Sequence, residues 1–240
     1  MKDVLLQNYE LITHSVEISA AVTGLILYNR YKPTAAKFFI WFLVYLSFGD
    51  FAGNYVHYIK NEGVFNFLEG TPLTGNFWWT TLYWEIGAVL FVAFYYHKIL
   101  SNIVFKIIIK ISGFIFFIFS IIYILTHFQA YFKMFFPPIS IFGAAIVFMC
   151  VIFYFIEVLL NDKILNFYKS LNFYISFAFF IWWIIITPIV FFDIYNGSKD
   201  QLYIDVQRLI FLTANVAMYL TFTFALIWCR PEKKTEVSLV

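Results

Sequence analysis

Apolar runs of roughly 20 residues recur along the whole chain, each enough to cross the ~30 Å hydrocarbon layer of a bilayer as a helix. They predict seven spans, at 11–28, 38–59, 76–96, 107–126, 138–160, 171–192 and 208–229. A transmembrane barrel needs short alternating segments, and the continuous Phe/Ile runs contradict that pattern. The expected fold class is all-α: a polytopic membrane protein forming a seven-transmembrane-helix bundle as a single domain, 1–240. The longest connection, 60–75, is about as long as a short helix, so no water-soluble domain is expected. The first span lacks a basic start and carries Glu17 in mid-stretch, which argues against a cleavable signal peptide. Pro137 and Pro138 fit the first turn of span five. Thr187-Pro188 removes a backbone donor within span six and predicts a kink. Ser15, Ser19, Thr23, Ala20 and Gly24 give span one the small residues of a close-packing helix. No internal repeat is visible, which weakens a transporter built on inverted halves.

Polar residues interrupt this pattern at helical spacing. Ser47, Asp50, Asn54 and His57 are separated by three, four and three residues and so share one face of span two. Span one carries Glu10, His14 and Glu17 at four and three. Span three offers Trp78, Thr81 and Glu85, and span seven brings Arg208 and, about two turns deeper, Asn215. Four helices thus put polar side chains in the outer half of the membrane, while the inner half has little besides Glu157. An ionised carboxylate at mid-bilayer costs roughly 2.5–3.5 kcal/mol even on the lenient insertion scale. Glu17, Asp50 and Glu85 are therefore expected to face the bundle interior. Two readings stay open: a buried network that fixes helix register, and a ligand or ion pocket open to the outside. Trp78, Trp84 and Trp183 are candidate aromatic linings of such a pocket. Trp182 and Trp183 lie too deep for an interfacial belt, although core packing also explains them.

Composition fixes the class. Of 240 residues, 62% are hydrophobic, 24% aromatic and only 12% charged, against about 25% charged in soluble domains. Thirty-three Phe and seventeen Tyr exceed what one water-soluble core hides. Lysine and arginine set the orientation. Eleven gather on one side (Arg30, Lys32, Lys37, Lys98, Lys106, Lys110, Lys163, Lys169, Arg230, Lys233, Lys234) and five on the other (Lys2, Lys60, Lys133, Lys199, Arg208). The expected topology has the amino terminus outside and the carboxyl terminus in the cytoplasm, in a cytoplasmic (inner) or plasma membrane. The net charge of +2 is ordinary membrane topology and gives no reason to expect a nucleic-acid partner.

Candidate chemistries can be weighed on the same residues. His14, Glu17, Asp50, His57 and Glu85 form a plausible N/O donor set for a metal such as zinc, without the spacing of a recognised metal motif. HExxH and GxSxG are absent, which gives membrane hydrolysis no support. A retinal Schiff base needs a lysine amine inside the bundle. The lysines lie in loops or, like Lys106 and Lys110, near a cytoplasmic helix end, so no retinal linkage and no other cofactor is expected. Cys150 and Cys229 sit within or at the inner end of spans, so no structural disulfide or thiolate zinc site is expected. Asn196-Gly197-Ser198 matches a glycosylation sequon, and the tail TEVSLV reads as a frayed end.

Three stretches, AAVTGLILYNRYKPTAAKFFIWFLVYLSFGDFAG, FYFIEVLLNDKIL and FALIWCRPEKK, carry a resemblance. Through them the chain resembles a group of small, uncharacterised seven-helix inner-membrane proteins from bacteria with AT-rich genomes. The order and length of elements fit over nearly the whole chain. The resemblance implies the seven-span topology, a carboxylate at position 50, where similar proteins tend to have Glu, and a match at Glu157. It implies no activity.

The expected role is non-enzymatic: a receptor-like or sensory membrane subunit with an outward-facing polar pocket for a small ligand. Lacking a signalling domain, it would use a cytoplasmic or membrane protein partner docked on the basic loops. The alternative is a small transporter or channel in which His14, Glu17, Asp50 and Glu85 relay protons or bind substrate. A membrane-embedded metal-dependent enzyme comes third.

Overall fold

A computed structural model describes residues 2–59, 63–160, 162–196 and 201–231. Gly197 and Ser198 of the sequon, Lys60, Lys199, and the tail from residue 232 lie outside them. The described residues are helical almost throughout and include no strand. Seven helices are long: α1 (Tyr9–Ile26), α2 (Ala36–Gly53), α3 (Phe77–Ile99), α4 (Ile103–Thr126), α5 (Pro137–Leu159), α6 (Leu171–Asn196) and α7 (Gln201–Trp228). Six of them, α2 to α7, are long and apolar enough to cross a membrane. The α1 helix, with Glu10, His14 and Glu17, falls short of that apolarity although it packs along α2 and α7. The chain is thus a multi-pass membrane protein by helix length and composition.

Neighbouring helices close a ring in the order α1, α7, α6, α5, α3, α2, with α4 outside it against α3 and α5. That peripheral place explains α4. Only 22% of its apolar window is buried, against 44% for α2 and α5, and Ile111, Phe114, Ile115, Ile122 and Leu125 point outward. Outward Phe and Ile need a hydrocarbon solvent, so the pattern follows from a bilayer surround. The α1 helix reaches its neighbours through Ala20, Ala21 and Gly24, a Cβ on Gly24 meeting Ile40 at 3.1 Å. Ser15 and Ser19, expected on this packing face, are exposed instead, and their hydroxyls bond carbonyls of their own helix at 2.6 and 2.9 Å.

Two devices finish the end of the bundle where α1, α3 and α7 terminate. The Arg30 guanidinium donates to the carbonyls of Cys229 at 2.5 Å and Ile227 at 3.3 Å, and the Tyr31 hydroxyl to Leu226 and Cys229 at 2.9 and 2.8 Å. A cation thus covers the unpaired carbonyls that carry the negative end of the α7 dipole. Conversely, the Glu157 carboxylate accepts from the backbone amides of Ser101 (2.8 Å) and Asn102 (2.6 Å), and Asn102 caps α4 through Val104 N–H at 2.8 Å. Glu157 is therefore a helix-terminus ligand. Pro137 and Pro138 open α5 as expected. The α6 helix continues through Pro188, with Thr187 Oγ1 buried and unbonded. Cys150 and Cys229 are both buried, and neither is in a disulfide among the described residues.

Candidate functional site

The site lies at the opposite end of the bundle, where α1 begins and α2 ends. From Asn54 to Tyr58, α2 tightens into a 3₁₀ turn, which carries Asn54 and His57 across the mouth of a cavity of about 260 Å³. Tyr9, Glu10, Thr13 and His14 of α1 form one wall, and Gly49, Asp50, Gly53, Asn54 and His57 of α2 another. Asn76, just before α3, and Trp79, Thr80 and Tyr83 within it complete the ring with Asn215 of α7. At the rim, His57 Nε2 lies 3.3 Å from Glu10 Oε1, both side chains being more than half exposed. Such a solvated pair contributes little stability.

The floor is more tightly ordered. The ligand atoms of His14, Glu17 and Asp50 lie within 4.8 Å of one another. Each of these side chains is also held from outside the trio. Asn54 Nδ2 meets His14 Nε2 at 2.8 Å, Tyr219 of α7 donates its hydroxyl to Glu17 Oε1 at 2.9 Å, and Tyr83 donates to Asp50 Oδ1. His14 Nδ1 faces Glu17 Oε2 at 3.7 Å, too long for a hydrogen bond. Glu17 is 1% exposed, and its Oε2 has no hydrogen-bond partner. Thr13 Oγ1, on the pocket wall and 7% exposed, has none either.

Local backbone chemistry makes the geometry. A Cβ on Gly49 would stand 2.2 Å from the Tyr83 ring, so only glycine lets Tyr83 lie flat enough on α2 to reach Asp50. Trp79 stacks on Tyr83 at 5.9 Å and donates its indole N–H to the Gly49 carbonyl at 2.7 Å. Across Thr81–Ala88 the α3 helix is a π-helix, a form concentrated at functional sites. The Tyr45 hydroxyl donates to the Tyr83 carbonyl inside it at 2.6 Å.

Below the trio the interior is apolar. Leu46 and Leu43, one and two turns beneath Asp50, are fully buried. Phe222 packs edge-on against Phe39 at 4.9 Å and Phe179 at 5.4 Å, and Phe42 stacks on Phe91 at 4.5 Å. The half of the bundle away from the pocket, where the residue pattern shows little besides Glu157, does hold polar pairs. Tyr95 donates to Asn172 at 2.6 Å and Tyr96 to Ser176 at 2.7 Å, pairs that a list of charged residues does not reveal.

Of the residues singled out from the sequence, His14, Glu17, Asp50, Asn54, His57 and Asn215 come together in or under this pocket. Glu85 does not join them. Its Oε1 accepts from Ser140 of α5 at 2.5 Å, and its Oε2 is buried without a partner. Arg208 stands above the mouth, its guanidinium 5.3 Å from the Tyr9 ring centre. Trp78 turns away and donates to the Tyr55 hydroxyl at 2.9 Å. Trp84 packs edge-on against Trp182 at 5.4 Å, and Trp182 donates to Asn215 Oδ1 at 2.7 Å, so these rings support the wall from behind. Trp183 rests on Trp182 at 5.3 Å. Tyr83, Trp79, Thr13 and Tyr219 were not anticipated. The spacing Asn76, Thr80, Tyr83 was the available signal on α3, and Asn215, Tyr219 on α7. Comparison of the chain with protein-family models, curated proteins and solved structures returns no match.

Proposed function

We propose that this chain is a receptor-like integral membrane protein whose polar pocket opens outward and takes a small cationic ligand. The observation that carries the reading is a cavity of about 260 Å³ with Asp50 in its lining, the Glu17 carboxylate just behind it, and packed Leu and Phe beneath. Two acidic side chains at the floor favour a cation, and a closed floor favours binding over passage. In this reading α1 is the seventh span, its one deeply buried charged residue, Glu17, facing inward. The amino terminus is outside, the carboxyl terminus cytoplasmic, and the membrane a bacterial inner or other plasma membrane, in keeping with the eleven-to-five division of Lys and Arg and the resemblance to small seven-helix proteins. A cytoplasmic partner docks on the basic surface around the exposed Lys32 and Lys98. The transporter reading draws support from the Tyr95–Asn172 and Tyr96–Ser176 pairs, which give the inner half polar steps. Both hydroxyls are already bonded, which favours the receptor.

Sided labelling tests the proposal. In a Cys150→Ala, Cys229→Ala background, Thr80→Cys should react with a membrane-impermeant thiol reagent added to intact cells. Leu46→Cys should react from neither face, in cells or in inverted vesicles. Inert Thr80→Cys in folded protein, or Leu46→Cys labelled from the cytoplasmic side, overturns it.

A further inference from the structure

We infer that the floor of the pocket is a divalent transition-metal site, with His14, Glu17 and Asp50 as its protein ligands. The inference rests on the outward-pocket reading and gives its ligand a chemical class. One imidazole and two carboxylates are a mixed N/O set of the kind that holds zinc, manganese or ferrous iron. Donor atoms around one ion with bonds of about 2.1 Å lie roughly 3–4 Å apart, so the trio, spread over 4.8 Å, closes on an ion by small side-chain movements.

Three further observations favour an ion over a self-contained polar cluster. First, each ligand is oriented by a partner outside the trio, Asn54 for His14, Tyr219 for Glu17 and Tyr83 for Asp50, which is the second layer that metal sites carry. Rotating the Asn54 amide lets Nε2–H donate to its oxygen and frees the Nδ1 lone pair facing Glu17. Second, Glu17 Oε2 is buried and has no hydrogen-bond partner. Such an atom is costly in a packed interior, and a coordinated ion satisfies it. Third, the Thr13 hydroxyl, also buried and unpartnered, stands on the pocket wall, where a metal-bound water or ligand gives it a partner. Two carboxylates and a neutral imidazole carry −2, which a divalent ion balances. Three protein ligands leave coordination positions toward the cavity for water or an incoming donor.

Equilibrium dialysis of the purified full chain against Zn²⁺ and Co²⁺, followed by elemental analysis, tests this. The expected result is one ion per chain, lost in Glu17→Gln and Asp50→Asn, with Tyr219→Phe binding about 10–100-fold more weakly. Saturating Zn²⁺ should raise the Tm of the parent and leave that of folded Asp50→Asn unchanged. Parent protein that retains no more metal than a His14→Ala, Glu17→Gln double variant overturns the site. If Thr80→Cys is still labelled from outside in that case, the pocket reading stands and only the metal falls. Loss of the labelling sinks the pocket itself.

Discussion

Gly49→Ala isolates the contact that brings α2 and α3 together at the pocket. The added Cβ would stand 2.2 Å from Tyr83 Cε2 and 2.3 Å from Cδ2, where carbon atoms rest at about 3.5–4.0 Å. The obstacle is a ring pinned by the Trp79 stack and by its hydroxyl bond to Asp50, so it has little room to yield. Overpacking of this kind costs about 1–3 kcal/mol. At about 2–4 °C per kcal/mol for a chain of this size, the Tm in detergent should fall by roughly 2–12 °C. Gly113→Ala is the matched control. Its Cβ would meet only the Ala93 methyl at 3.7 Å, an ordinary contact, and alanine in a helix interior is favoured by about 0.5–1 kcal/mol. Thermal melts of the two variants should therefore move in opposite directions. A Gly49→Ala protein as stable as its parent, or equal losses in both, refutes the close approach of Tyr83 to α2.

Other substitutions probe the remaining elements. Glu85→Gln should leave metal retention unchanged, because that carboxylate is bonded to Ser140 on α5; loss of the ion would put Glu85 in the site. Glu85→Leu removes the short bond from the Ser140 hydroxyl and leaves it the 3.4 Å one to the Phe136 carbonyl, so it should cost about 1 kcal/mol, read as a lowered Tm. Arg30→Gln with Tyr31→Phe uncovers the carbonyls at the end of α7. Amide exchange over 226–229 should then quicken by about tenfold for each 1.4 kcal/mol lost, and unchanged exchange would show that the cap contributes nothing.

The helices were legible because their driving pattern is long and local. Six apolar runs need no tertiary information to be recognised, and α1 was found despite its charges because those charges fall on one face. The apolar pattern starts the seventh span at Arg208, although the helix begins at Gln201; the stretch QLYIDVQ is too polar to announce itself as part of a span. The α2 half of the pocket was also readable, since Asp50, Asn54 and His57 keep helical spacing up to and through the 3₁₀ turn. On α3 the structure turns a different face to the pocket. By spacing, Trp78, Thr81 and Glu85 form one polar stripe, but Thr81–Ala88 adopts π geometry, with Tyr83 toward α2 and Glu85 toward α5. The spacing Asn76, Thr80, Tyr83 marks the face that α3 turns to the pocket, but without the π turn it competes on equal terms with Trp78, Thr81, Glu85. Tyr219 was obscured for a different reason. Among seventeen tyrosines, the one whose hydroxyl holds a buried carboxylate is marked only by Asn215 one turn before it.

Water is the most direct probe of whether the pocket opens at one end and stops. Hydroxyl-radical footprinting of the native protein in lipid nanodiscs, read residue by residue by mass spectrometry, reports both halves of the bundle at once. Oxidation is expected at His57, His14 and Trp79 on the rim and wall, with Phe39, Phe42 and Phe222 protected beneath Asp50. A continuous trail of oxidised side chains from Trp79 through Phe42 and Phe222 to the other end would contradict a closed receptor pocket and show a path through the membrane.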